Sequence, residues 1–138
     1  MSIAGRVLQN AEEHLPRVID ARTHGALDYL HVALCLGMAW RWRKRRPRAA
    51  VAALVTGSVL LAESLCTDYP LGAVKGMSFS THGRMDKLLA VSSLQAPRVF
   101  GFDGTAEAAV FESATALRAA VVIMTDYESG KPRWRTAS

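Results

Sequence analysis

The chain repeats itself at a fixed offset. Thr23-His24-Gly25-Ala26-Leu27-Asp28 returns as Thr81-His82-Gly83-Arg84-Met85-Asp86, 58 residues later. Thr67-Asp68-Tyr69 returns as Thr125-Asp126-Tyr127 at the same offset, and so do Gly72 as Gly130, Leu30 as Leu88 and Leu36 as Leu94. Two separated blocks that share one offset, with no gap between them, define a tandem duplication, and a duplication constrains the fold before any local pattern does. At 138 residues the chain has the length of one domain, too short for two independent cores, so the repeats must share one. The organisation expected is an N-terminal segment 1–22, a first repeat 23–72, a linker 73–80, a second repeat 81–130 and a tail 131–138.

Four apolar segments follow from the repeat: 25–42, 48–66, 84–102 and 107–124, each 18 or 19 residues long. As helices they reach roughly 27–29 Å at 1.5 Å per residue, close to the ~30 Å hydrocarbon core of a bilayer. Strands are disfavoured, because the runs lack two-residue alternation and are too long. Thr23 and Thr81 can cap the first and third helices. The Asp-Tyr pairs, followed by Pro70 and Gly72 or by Gly130 and Pro132, end the second and fourth. Residues 3–20 form a weak amphipathic helix that does not read as a cleavable signal, since Glu12, Glu13, His14, Pro16 and Asp20 interrupt it. Cys35 and Cys66 sit inside apolar runs with no CxxC spacing, which argues for two small buried hydrophobes rather than a disulfide or zinc ribbon.

The fold class expected is all-α, a four-helix transmembrane bundle of two tandem helical hairpins with pseudo-two-fold symmetry. The strongest support is the second segment, which holds no charge from Ala49 to Ala62. The fourth contains Glu112 and Arg118, and a charge near a bilayer centre costs roughly 2.5–3.5 kcal/mol on insertion scales. The repeat aligns Arg118 with Leu60, at nearly the depth of Glu63, so an intramembrane Glu63–Arg118 ion pair is expected; Glu112 has no expected partner. A soluble four-helix bundle is the rival, since it would accept both charges on a wet face.

The formal charge of +5 is concentrated in residues 41–48, with six Lys or Arg in eight residues. The run lies between apolar stretches with no stacking platform or recognition helix beside it, so nucleic acid is not the expected partner. A loop beside a membrane helix is, and its charge density places it in the cytoplasm although nine basic residues are spread over the opposite side. The expected setting is thus a multi-pass protein of the cell membrane with the lipid bilayer as its partner. A homo-oligomer and a protein partner both stay open.

Two helices per repeat return the chain to its starting side, so His24, Asp28, Asp68, His82, Asp86 and Asp126 should gather at one end. His24 and Asp28 stand four apart on one helix face, as do His82 and Asp86. Imidazole with carboxylate suits zinc, iron or manganese, and helix bundles build such centres from facing helices. The competing account is a polar network that staples the repeats or binds a small ligand, with Tyr69 and Tyr127 as interface anchors. His31, whose counterpart is Leu89, and His14 are not repeated and stay outside this set.

The order His-x-x-x-Asp, apolar helix, second helix ending in Thr-Asp-Tyr-x-x-Gly, then the whole unit again, with Phe100-Gly101-Phe102 closing the third helix, resembles the SPW-repeat family of small bacterial integral membrane proteins. The resemblance covers residues 21–130. Where that family carries Ser-Pro-Trp, this chain reads Met38-Ala39-Trp40 and Ala96-Pro97-Arg98. The resemblance implies four membrane helices and supplies no activity. Catalytic residues are therefore unassigned. The functions left standing are a non-enzymatic membrane protein with a structural or ligand-binding His/Asp cluster, a membrane metalloprotein such as a metal-dependent hydrolase, and a soluble four-helix metal-binding protein.

Overall fold

The computed structural model describes residues 13–129 together with Arg6 and Asn10. Most of the amphipathic helix expected over 3–20, and Gly130, Pro132 and the tail, lie outside the described residues. Leu15 and Val18, two of that helix's apolar positions, are exposed. The described residues form four helices, α1 (Ala21–Trp42), α2 (Pro47–Leu65), α3 (Phe79–Val99) and α4 (Ala106–Ile123), and a two-stranded parallel sheet, β1 (Thr67–Asp68) and β2 (Met77–Ser78).

The odd-numbered helices start a turn before their apolar runs. Asp20 caps α1 by accepting from the Thr23 N–H at 2.8 Å, and Ser78 caps α3 by accepting from the Thr81 N–H at 3.2 Å. Thr23 and Thr81 are thus the residues being capped, not the caps; Asp and Ser outrank Thr at that position. Pro47 opens α2, where its missing N–H would have no partner anyway. Gly101 and Gly104 take positive φ in the turn to α4, and Thr105 caps that helix.

The sheet and one isolated bridge tie the repeats together. Thr67 pairs with Met77, and Thr125 pairs with Ile19, both parallel and both steps 58 residues apart. The Met77 N–H donates to the Cys66 carbonyl at 2.9 Å, and the Ile19 N–H to the Met124 carbonyl at 3.1 Å. The segment entering each odd helix therefore lies along the segment leaving the other repeat's even helix. The stretch 73–80, read as a linker, contains β2 and the start of α3.

The core at the far end is built from small residues: Cys35, Met38 and Ala39 of α1 pack with Ala49, Ala52 and Ala53 of α2, and with Phe102, Phe111 and Ala114 beyond. A Cβ on Gly57 would come within 2.8 Å of the Cys35 Cβ, so the glycine sets how closely α1 and α2 approach. Cys35 is buried as expected, but Cys66 is exposed, because it follows the last residue of α2. Among the described residues one helix, α2, is long and apolar enough to cross a membrane, with mean hydropathy 1.5.

Candidate metal centre

The near end of the bundle is polar and closed. His24 and Asp28 are the fourth and eighth residues of α1, His82 and Asp86 the fourth and eighth of α3, and none is more than 3 % exposed. The four-residue spacing puts each pair on one helix face, and the crossed end segments bring the two faces together. His24 Nε2 lies 3.4 Å from Asp28 Oδ2 and 3.0 Å from Asp86 Oδ2. His82 Nε2 lies 3.1 Å and 3.2 Å from the same two oxygens. The two Nε2 atoms are 3.3 Å apart. One donor atom from each residue thus falls within 4.8 Å of all the others, a set that can hold a metal ion.

The far nitrogens of the imidazoles are also fixed. His24 Nδ1 is 2.8 Å from the Thr125 hydroxyl, and His82 Nδ1 is 2.8 Å from the Thr67 hydroxyl. Each threonine donates its own proton at 2.6 Å to the carbonyl four residues earlier, Val121 or Glu63. A hydroxyl whose proton is committed can only accept, so both Nδ1 atoms carry hydrogen and both Nε2 atoms face the centre.

Around the four donors the halves differ. Ser64 donates to Asp28 Oδ2 at 3.2 Å. Arg118, buried, donates through Nη2 to Asp86 Oδ1, and the Tyr127 hydroxyl reaches Asp86 Oδ2 at 3.5 Å. Phe79 closes the end, its ring 5.3 Å from that of His24 and stacked at 5.8 Å on that of Tyr69. Burial pushes the phenols of Tyr69 and Tyr127 well above their ordinary value, so both keep their protons.

Of the six residues expected to cluster, four meet and Asp68 and Asp126 do not. Asp68 is exposed and pairs with Lys75 at 3.1 Å; Asp126 accepts from the Glu128 N–H. The reason is parity. The second helix ends at Leu65, and successive residues of the extended segment face opposite sides. Thr67, fully buried, takes the inward place and turns Asp68 out. The Glu63–Arg118 pair does not form within ion-pair distance. Depth along the bundle was similar, but α4 packs chiefly against α3 and touches α2 little, so the guanidinium meets Asp86 instead. Glu63 is buried with Oε2 unpartnered. Tyr69 is not a surface anchor: it is buried, and its ring lies so close over Gly25 that a Cβ there would stand 2.1 Å from it. Tyr127 lies over Gly83 in the same way. Thr67 and Thr125, which hold the two imidazoles, sit in the repeated block beside Asp68 and Asp126 but were not expected at the centre. His31, which does not recur, is buried less than one turn beyond Asp28.

Comparison with protein-family models, with curated proteins and with solved structures gave no match. The resemblance to the SPW-repeat family therefore rests on the residues quoted for it alone.

Proposed function

We propose that this is a small membrane protein in which one divalent transition metal, zinc above all, crosslinks the two repeats through His24, Asp28, His82 and Asp86. The observation that carries the reading is the size of the donor cage. A tetrahedral ion with ligand bonds of ~2.0–2.1 Å holds neighbouring donors roughly 3.3–3.4 Å apart. The five donor separations given above run from 3.0 to 3.4 Å. Two imidazoles and two carboxylates converge at a buried point where Arg118 balances only one of the acids, and two nitrogens with two oxygens suit zinc. The threonines supply the outer hydrogen bonds that metal-bound imidazoles ordinarily have.

Four protein donors fill a tetrahedron and leave no vertex for water. That favours a structural ion over the hydrolase reading, which needs an open position. The ion would hold α1 to α3 about the pseudo-two-fold axis relating the repeats. Membrane placement is supported by the helix faces. The exposed side chains of α1 between Ala26 and Trp40 are all apolar, and those of α2 between Val51 and Leu65 are apolar apart from Ser58. The other two helices are mixed: Leu88, Val91 and Leu94 of α3 are exposed beside Lys87, Ser92 and Gln95, and Val110 and Leu117 of α4 beside Glu112 and Ser113. The apolar surface of α1 and α2 calls for a covering phase, and the basic loop 41–48 then faces the cytoplasm.

The test is metal content by mass spectrometry on protein purified without chelator, beside a His24→Ala/His82→Ala double variant. The expected result is about one ion per chain, absent from the variant and released as pH falls through the ordinary imidazole range, because protons compete for Nε2. A second reading has its own observation: the 3.0 Å separation of His24 Nε2 and Asp86 Oδ2 also fits a charged hydrogen bond. No ion in wild-type protein, with the double variant less stable, would replace the metal by that proton-held staple.

A further inference from the structure

A cavity of about 140 Å³ opens between α1 and α4, beside the metal centre and on the apolar face of α1. Leu27, Leu30, Leu34, Leu117 and Val121 form its walls, and Asp28, His31 and Arg118 supply its polar groups. Two of these have unused hydrogen-bonding capacity. Arg118 is 4 % exposed, and its Nε and Nη1 have no partner. His31 is 8 % exposed and makes no hydrogen bond or ion pair among the described residues. Buried donors of this kind ordinarily have acceptors.

We infer that this cavity is a binding site for a fatty-acid-like amphiphile, its carboxylate received by His31 and Arg118 and its alkyl chain lying along Leu30, Leu34 and Leu117. The head must be an acceptor, because the unfilled groups of Arg118 are all donors. An anion satisfies a buried guanidinium better than a neutral oxygen does. Asp86 takes only Nη2 of the guanidinium, and the one carboxylate lining the cavity, Asp28, is engaged by Ser64 and both imidazoles, so Nε and Nη1 stay unfilled. The volume holds roughly four or five waters at ~30 Å³ each, enough for a carboxylate and a short stretch of chain. The remainder extends onto leucines that are 66 %, 43 % and 66 % exposed at positions 30, 34 and 117. Entry is therefore sideways, from the apolar phase.

The experiment uses the full chain in nanodiscs of zwitterionic lipid, titrated with carboxyl-¹³C decanoate and followed by ¹³C NMR against protein-free nanodiscs. A saturable bound-carboxylate resonance is expected. It should weaken at least tenfold in His31→Leu, which removes a donor, and in Leu117→Trp, which fills the mouth from an exposed position. Decanol should compete at least tenfold more weakly than unlabelled decanoate. Absence of the resonance, equal competition by decanol, or wild-type affinity in either variant would overturn the proposal. Metal is measured on the same samples. Decanoate binding in metal-free protein would leave this site standing even if the metal reading fell.

Discussion

Asp28 and Asp86 occupy the same place in the two repeats and live in different surroundings. Asp28 accepts from a neutral hydroxyl, Ser64, and borders a cavity that opens on the apolar face of α1. Asp86 is fully buried against the Arg118 guanidinium, with the Tyr127 hydroxyl at 3.5 Å. The offset of 58 explains the divergence. The position of Arg118 holds Leu60 in the first repeat, and the position of Ser64 holds Val122 in the second. The two repeats share the four inner donors, the two threonines behind them and the tyrosine over each glycine, and they differ at the positions of Ser64 and Arg118. One carboxylate became the fixed, charge-compensated side of the centre. The other borders the cavity between α1 and α4.

The sharpest way to break this comparison is to neutralise the carboxylates one at a time in chelator-treated protein. Asp86→Asn leaves a buried guanidinium without its counter-charge, and removing one partner of a buried ion pair costs about 3–5 kcal/mol. Asp28→Asn keeps an acceptor for Ser64 and strands no arginine, so its cost should be about 1–2 kcal/mol. Chemical unfolding in mixed micelles reads both. Equal costs would mean that Arg118 is not tied to one half of the site.

A smaller difference is expected at the glycines. An added Cβ would meet the Tyr69 ring at 2.1 Å at position 25 and the Tyr127 ring at 2.5 Å at position 83. Tyr69 is 2 % exposed and stacked between Phe79 and His82, so it has nowhere to go. Tyr127 is partly exposed, so its ring is less tightly boxed than that of Tyr69. Gly25→Ala should cost about 2–3 kcal/mol and Gly83→Ala about 1 kcal/mol, within the usual range for overpacking. Thermal unfolding of the pair decides the ranking, and a larger loss at position 83 would count against the boxed-in role of Tyr69.

The centre was legible in the sequence wherever helical spacing alone sets direction. His24 with Asp28, and His82 with Asp86, needed only the four-residue step and the return of the chain to one end. Legibility failed where another quantity mattered. Asp68 and Asp126 were misplaced because the backbone leaves the helix at Leu65 and Ile123, and in extended chain a single residue reverses the facing. Arg118 was assigned to Glu63 because a repeat alignment reports depth and not the angle around the bundle. A repeat marks only what recurs, and Arg118, Ser64 and His31, the groups that make the halves unequal, do not recur. The four-helix framework followed from the apolar runs. Their entry points did not, since Asp20 and Ser78 lie outside those runs.

The threonines provide the finest test, because there the halves should not differ at all. Thr67→Val and Thr125→Val preserve shape and remove the acceptor that fixes the Nδ1–H of His82 and His24. Both bonds measure 2.8 Å, and both threonines donate to a carbonyl four residues back at 2.6 Å. Loss of such an outer hydrogen bond ordinarily lowers metal affinity by about 10–100-fold. The expectation is a loss of that size in each variant, the two agreeing to within about threefold, measured by competition with a zinc chelator at fixed pH. A large loss in one variant only would mean that one imidazole carries the ion and the other merely lies beside it. The inner shell would then have diverged along with the outer one, and the centre would no longer be a crosslink between repeats.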